Sequence, residues 1–187
     1  TGPEAVLPLL HVDSLEIEIG HGLTRLADAR VGGDLPERIS TARREIAMEL
    51  GFVMPSVRIR DNIALGPNEY CIKVKGEEVG RSRLEPAMLL AMRNSPDLAP
   101  LVGIPTTEPV FGLDAIWIDR GTADEAKMAG YTVVEPNIMI STHLTEIVKT
   151  HAPELLSRQD VNTLLEKAKE HNPTVVNELV PAIVKVG

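Results

Sequence analysis

The chain has very few aromatic residues and only one cysteine. Aromatic residues make up 3% of its 187 positions, and Cys71 cannot form a disulfide within the chain. A single cysteine is typical of proteins from a reducing compartment. No apolar stretch approaches the roughly 20 residues that a membrane-spanning helix needs, and there is no signal-peptide pattern.

Positive charge is also scarce relative to negative charge. There are 19 Lys and Arg residues against 27 Asp and Glu residues, so the formal net charge is −8. Proteins that bind nucleic acid without sequence preference rely on Lys and Arg facing the phosphates, so we predict no nucleic-acid partner. The hydrophobic content of 43% and the charged content of 25% are ordinary for a folded protein.

The first half of the chain predicts strands around one long helix. Apolar and acidic residues alternate over 15–20, as in a half-buried strand. Residues 35–50 follow a helical period between Asp34, which suits an N-cap, and Gly51, which suits a left-handed C-terminal position. A short strand at 57–60 and a hairpin come next. The order predicts a small sheet with a helix packed on it.

The pattern changes at Pro86. Residues 86–93 predict a short helix, and four prolines between 94 and 110 predict a loop. The elements predicted after that loop are a strand at 115–118, a helix at 122–130, a strand at 131–134, a helix at 136–151 and further helix from Pro153. We therefore predict an α+β fold, in which a small mixed sheet domain carries an inserted small α/β lobe and is followed by a helical subdomain.

A metal site is not predicted. His143 and Glu146 share a predicted helix, but a zinc site of the H-E-x-x-H type needs a second His four residues after the first. Position 147 is Ile, and His151 is about two turns away, too far to bind the same ion. We interpret His143 as a helix-surface or interlobe hydrogen-bonding residue.

No cofactor is predicted either. Gly32 and Gly33 precede a helix but lack a nucleotide-binding motif, and Asp34 places negative charge where a phosphate would bind. Cys71 lies in a predicted strand, and although Lys73 is on the same face, an inert thiol is the better interpretation.

One polar cluster leaves an enzymatic or small-molecule function open. Asp61 and Asn62 follow a predicted strand, where such residues usually bond local backbone groups in a turn. Together with His143 they form the alternative hypothesis: a polar site for a small molecule in an α+β domain. Convergence of these side chains in one pocket would favour that hypothesis.

Two of the five aromatic rings lie within seven positions of each other in one segment, EPVFGLDAIWI, at residues 108–118. It contains Phe111, one of two Phe residues, and Trp117, the only Trp, with Glu108 three residues before the Phe. Large apolar side chains are usually buried, so both rings are candidates for the core. The alternative for Phe111 is a surface ring beside an acid, built to hold a partner.

Six blocks resemble the cytoplasmic part of the bacterial type III export-gate family. From Leu15 onward they are LEIEIGHGL, RISTARREIAMELGFVMPSVRIRDN, NEYCIKVKGEEVGR, GIPTTEPVFGLDAIWI, GYTVVEP and STHLTEIVKTHAPELLSRQDV. The pattern T-x-E-P-x-F-G-L-x-A-x-W-I favours the flagellar branch over the virulence-secretion branch.

The resemblance implies a particular domain organisation. The implied parts are a linker end at 1–13, a first subdomain at 14–86 plus 136–155, an inserted second subdomain at 87–135, and the start of a helical third subdomain at 156–187. Family members carry membrane spans before this region and a fourth subdomain after it, so we expect this chain to be a piece of a longer protein. The Pro-rich stretch at 94–110 and the chain crossings near 86 and 136 are the predicted hinges.

The resemblance also implies a function without catalysis. Family members dock flagellar export chaperones with late substrates, communicate with the export ATPase complex, and form a nine-membered ring below the export channel. We expect this role at the cytoplasmic face of the bacterial inner membrane, with membrane contact only through the N-terminal region that precedes this chain. A simple ring-building spacer is a further possibility.

The resemblance finally implies a docking site. The family's chaperone-binding dimple lies between the first two subdomains, and its residues correspond here to Glu108, Phe111 and Thr142. The acid is often Asp in the family. We expect the ring, carboxylate and hydroxyl to be accessible together and to receive an aromatic anchor from the partner. Trp117 is expected in the core.

Overall fold

The computed structural model describes residues 12–156, 165–166 and 169–170, and residues 12–156 contain eight strands and five α-helices. The strands are β1 (Leu15–Ile19), β2 (Val57–Asp61), β3 (Glu69–Val74), β4 (Glu77–Arg83), β5 (Leu89–Met92), β6 (Ile104–Thr107), β7 (Asp114–Ile118) and β8 (Thr132–Val134). The helices are α1 (Thr24–Ala27), α2 (Leu35–Leu50), α3 (Ala123–Met128), α4 (Pro136–Thr150) and α5 (Ala152–Leu155). The predicted linker end and the helical third subdomain lie almost entirely outside the described residues.

The first sheet has the order β2-β1-β3-β4, with β1 parallel to β2 and antiparallel to β3. Helix α2 makes the crossover between the two parallel strands. Ile17 and Ile72 lie opposite each other, and both join the core with Ile46 of α2 and Leu144 of α4. The sheet with a helix packed on it is therefore present, and α4 is a second helix of the same layer.

The two glutamates of β1 are buried, although the alternating pattern predicted a half-buried strand. Glu16 and Glu18 are 7% and 8% exposed. Glu16 pairs with Arg60, and Glu18 accepts from Asn62 and forms an ion pair with Lys73. Burial raises the pKa of Glu18, but the hydrogen bonds from Lys73 and Asn62 outweigh it and hold the pKa below its ordinary value.

Helix α2 has the predicted bounds and C-terminal cap but lacks the predicted side-chain cap at its N-terminus. Gly51 has φ +78°, the left-handed geometry of a C-terminal cap, and its N–H donates to Ala47. The side chain of Asp34 does not cap the first turn. Its carboxylate instead pairs with Arg38 at 2.9 Å and accepts from Asn137 at the start of α4. Asp34 thus links the first turns of α2 and α4.

The second sheet has the order β6-β7-β5-β8, with antiparallel neighbours throughout. The prediction of a helix at 86–93 is wrong, because Leu89–Met92 forms the inner strand β5. Leu90 lies opposite both Trp117 and Val134 and is fully buried. Pairing on both sides overrides the helical propensity of a Leu- and Met-rich segment.

The predicted loop at 94–110 contains one strand, β6, at the edge of the second sheet. Pro105 has no N–H, so it is compatible with a strand only where that N–H would face away from the neighbouring strand. The N–H of Glu108 donates to the carbonyl of Leu113, and this register turns the nitrogen of Pro105 outward. Strand β6 is therefore an edge strand by composition as well as position.

The two sheets share one apolar core. Leu90, Trp117 and Met139 belong to the same cluster as the interior of the first sheet, and Trp117 is 3% exposed, as predicted. A smaller cluster lies between the second sheet and α3 and contains Leu89, Ala91, Ile118, Ala126 and Tyr131. Among the described residues, no helix is long and apolar enough to cross a bilayer.

Candidate functional site

Phe111 lies at the tip of the β6–β7 hairpin and points into solvent. The loop at 108–113 joins the two strands. The Phe111 side chain is 67% exposed, and Leu113 is 37% exposed beside it. The core interpretation of Phe111 is therefore wrong, because its place beyond the last strand pair carries it outside the apolar core.

Glu108 is buried beneath this loop, with an exposure of 2%. Its carboxylate accepts N–H bonds from Val110 at 2.7 Å, from Phe111 at 2.8 Å and from Leu113 at 2.9 Å. The expectation of an accessible acid is therefore wrong. Its oxygens serve the loop's own N–H groups, which would be costly to bury without an acceptor.

A buried Tyr–His pair lies on the first sheet under α4. The hydroxyl of Tyr70 and Nδ1 of His143 are 2.7 Å apart, and the two rings meet edge to face at 5.7 Å. Burial lowers the pKa of His143, and the negative charge of Glu108 opposes this effect. Burial raises the pKa of Tyr70. His143 is thus a buried hydrogen-bonding residue, not a helix-surface residue.

Thr142 lines a groove to which Glu108 does not contribute. It is exposed on α4 and lines a groove of about 350 Å³ between α2 and α4. The other lining residues are Arg38, Thr41, Ala42, Glu45, Ile138, Ser141 and Thr145. Glu108 and Phe111 do not line it. The structure therefore joins Glu108 and Phe111 in one loop and does not gather all three predicted residues in one concave spot.

The alternative polar site does not assemble. Asn62 donates to Glu18 and accepts from the N–H of Ala64 at 2.8 Å, so it forms the local turn that its sequence position favours. Glu18 alternates with Ile17 and Ile19 and so projects from the face of the first sheet opposite Tyr70 and His143. Asp61 is exposed at the end of β2. Asp61, Asn62 and His143 therefore do not converge.

Metal and thiol chemistry find no support within the described part of the chain. There, no three His, Cys, Asp or Glu side chains lie close enough together to hold a metal ion. Cys71 is buried, and burial raises the pKa of its thiol, so the reactive thiolate is disfavoured.

A larger cavity is lined in part by Gly32, Gly33 and Asp34, the segment that lacks a nucleotide-binding motif. It has a volume of about 570 Å³ and lies where the chain crosses between the sheets, near Pro86 and Pro136. Arg120 and Glu135 close one side with two hydrogen bonds of 2.8 Å. The sequence signals for this place are the segment 32–34 and the two chain crossings. The lining arginines come from three separate segments of the chain.

Residues 1–187 match the model of the FHIPEP family. The chain belongs to the FHIPEP family. It is 51% identical over 185 residues to the flagellar biosynthesis protein FlhA of Bacillus subtilis, covering 99% of this chain and 27% of that protein. The FHIPEP chain thus spans about a quarter of the length of this curated relative. The resemblance to the type III export-gate family is confirmed.

Solved structures share the fold of this FHIPEP chain. The Chlamydia pneumoniae CdsV protein matches with a TM-score of 0.70 at 19% identity, covering 91% of this chain and 52% of that one. The nonameric SctV-C of EPEC matches with a TM-score of 0.58 at 14% identity, covering 92% and 50%. These likenesses confirm the α+β fold.

Proposed function

We propose that the chain is part of the cytoplasmic docking platform of the flagellar type III export apparatus and binds export chaperones that carry late substrates. Membership of the FHIPEP family and the 51% identity to a flagellar relative support this role. We infer a non-enzymatic function. The cytoplasmic face of the bacterial inner membrane is its proposed location, with the membrane spans in the longer protein.

One observation carries the docking role: an exposed aromatic ring on an ordered loop. Phe111 is 67% exposed in a chain with only two Phe residues, and a buried carboxylate fixes the loop that holds it. Exposed aromatic side chains that enter a pocket on a partner are frequent hot spots of binding energy. The half-buried Val110 and exposed Leu113 extend the apolar contact area.

The proposed contact surface has two parts. Phe111 supplies the aromatic anchor from the inserted second subdomain, proposed at 87–135. Thr142 supplies a hydroxyl at the α2–α4 groove of the first subdomain, proposed at 14–86 plus 136–155. A chaperone that contacts both parts bridges the two subdomains.

Assembly belongs to the longer protein in this proposal. We infer a nine-membered ring, in line with the nonameric SctV-C that shares the fold. Components of the export ATPase complex are the further proposed partners. The chain spans 27% of its Bacillus subtilis relative. We therefore infer that regions outside this chain contribute to ring assembly and to contact with the ATPase complex.

Phe111→Ala tests the docking role. Loss of an aromatic hot spot costs about 2 kcal/mol or more, so we expect affinity for a flagellar chaperone–substrate complex to fall about 30-fold by calorimetry. Met128→Ala is the matched control, because Met128 is another exposed apolar residue of the same lobe, at 89% exposure. Circular dichroism checks that both variants fold. Normal binding by folded Phe111→Ala would contradict docking at this loop.

A further inference from the structure

We propose that Glu108 is a positioning residue, which orders the loop 108–113 and presents the Phe111 ring to the partner without contacting the partner itself. Presentation of the ring to a partner rests on the proposed docking function. Ordering of the loop rests on the geometry of the unbound chain alone. It assigns the acid of the predicted dimple a role different from that of a direct hydrogen-bond acceptor.

Glu108 accepts every backbone N–H of the loop that follows it. Pro109 has no N–H to donate. The carboxylate of Glu108 accepts hydrogen bonds from the N–H groups of Val110, Phe111 and Leu113. The backbone carbonyl of Glu108 accepts from the N–H of Gly112 at 3.2 Å. A single side chain therefore defines the path of the backbone on both sides of the ring.

The carboxylate is suited to this task because both oxygens are used. One oxygen, Oε1, accepts from Phe111 and Leu113, while Oε2 accepts from Val110. A carboxylate has about four acceptor positions, so three bonds are within its capacity, and bonds to an ionised acceptor are stronger than neutral ones. An amide in its place has only one acceptor oxygen. Its NH2 group would face backbone N–H groups, which are themselves donors and cannot accept a hydrogen bond.

The loop backbone is also bent in a way that needs support. Gly112 has φ +71°, a left-handed conformation that few residues other than glycine adopt, and a Cβ there would meet nothing within 4 Å. The glycine is thus present for its backbone geometry and not for lack of space. The left-handed turn folds the chain back so that the N–H of Leu113 reaches Glu108.

The exposed ring depends on this backbone for its direction. Phe111 is 67% exposed and gains little from packing against its own chain. An anchor held in its bound position before the encounter avoids part of the entropy cost of ordering on binding. Since the charge of Glu108 is committed to the loop, the partner surface that fits here is an apolar pocket and not a cationic one.

Hydrogen exchange of the unbound chain tests the ordering step. Glu108→Gln should accelerate amide exchange at positions 110, 111 and 113 about tenfold or more, because each loses a charge-assisted bond. Glu77→Gln removes the same charge from an exposed strand position and should leave these amides unchanged. Glu108→Asp keeps the carboxylate and should retain most of the protection. Unchanged exchange in folded Glu108→Gln would overturn the inference.

A double-mutant cycle tests the absence of direct contact. Glu108→Gln alone should weaken chaperone binding about tenfold, and should add nothing once Phe111 is Ala, because its effect passes through the ring. Additive losses would show direct contact and contradict the proposal. Normal binding by Phe111→Ala would instead contradict the docking function, while hydrogen exchange still decides whether Glu108 orders the loop.

Discussion

At the scale of the residue, the Tyr70–His143 pair gives the fold a dependence on pH. His143 is buried and hydrogen-bonded at 2.7 Å, and burial holds its pKa below the ordinary value of 6.5. The unfolded chain binds a proton at His143 more readily than the native chain does. The free energy of unfolding therefore rises with pH as His143 loses its proton. The contribution of His143 to stability is lost as the pH falls below about 6.5.

We expect urea-unfolding free energies to fall between pH 7.5 and 5.5, and His143→Gln to reduce that slope because it removes the titrating group. Glu18, whose pKa is lowered, contributes only at more acidic pH, below its ordinary value of 4.5. The effects of His143 and Glu18 on stability therefore fall in different pH ranges. Equal slopes for both proteins over this interval would show that His143 does not cause the dependence.

The residue scale also shows why the site was only partly predictable. Composition alone favours the core for both Phe111 and Trp117, and only Trp117 lies there. The family resemblance predicts a surface position for Phe111. The burial of Glu108 could not be predicted, because it requires the hairpin geometry that returns Leu113 to the carboxylate.

At the scale of the element, strand β5 shows how tertiary pairing decides between helix and strand. The long helices α2 and α4 and the strands of the first sheet were predictable from periodicity, because each presents one apolar face to the core. The four residues of β5 are too short for a period and have the composition of a helix. Their place between β7 and β8 determines their conformation.

Leu90→Ala tests this assignment. The substitution raises helix propensity but empties a fully buried position in the core shared by both sheets, so we expect it to cost about 2–5 kcal/mol in urea denaturation. Met48→Ala, at a position 88% exposed, should change stability by about 0.5 kcal/mol or less. A neutral or stabilising Leu90→Ala would contradict a buried strand at this place.

At the scale of the whole molecule, two sheets and helix α4 hold the loop 108–113, the proposed docking loop, at a fixed place. The chain leaves the first sheet near Pro86 and returns through α4, so the inserted sheet is anchored by two crossings and by a common core. The order of the sequence blocks predicted the family and the α+β class. The cavity at the crossings, and the groove that Thr142 lines without Glu108, follow from three-dimensional packing.

Site-specific photocrosslinking tests most directly whether the Phe111 ring meets the export chaperone. A benzophenone-bearing phenylalanine at position 111 should crosslink to a flagellar chaperone–substrate complex, because the ring is expected to enter a pocket of the partner. The same group at Ile63, which is 94% exposed in the turn after β2, should not crosslink. Equal yields at both positions, or none at position 111, would contradict a docking site at this loop.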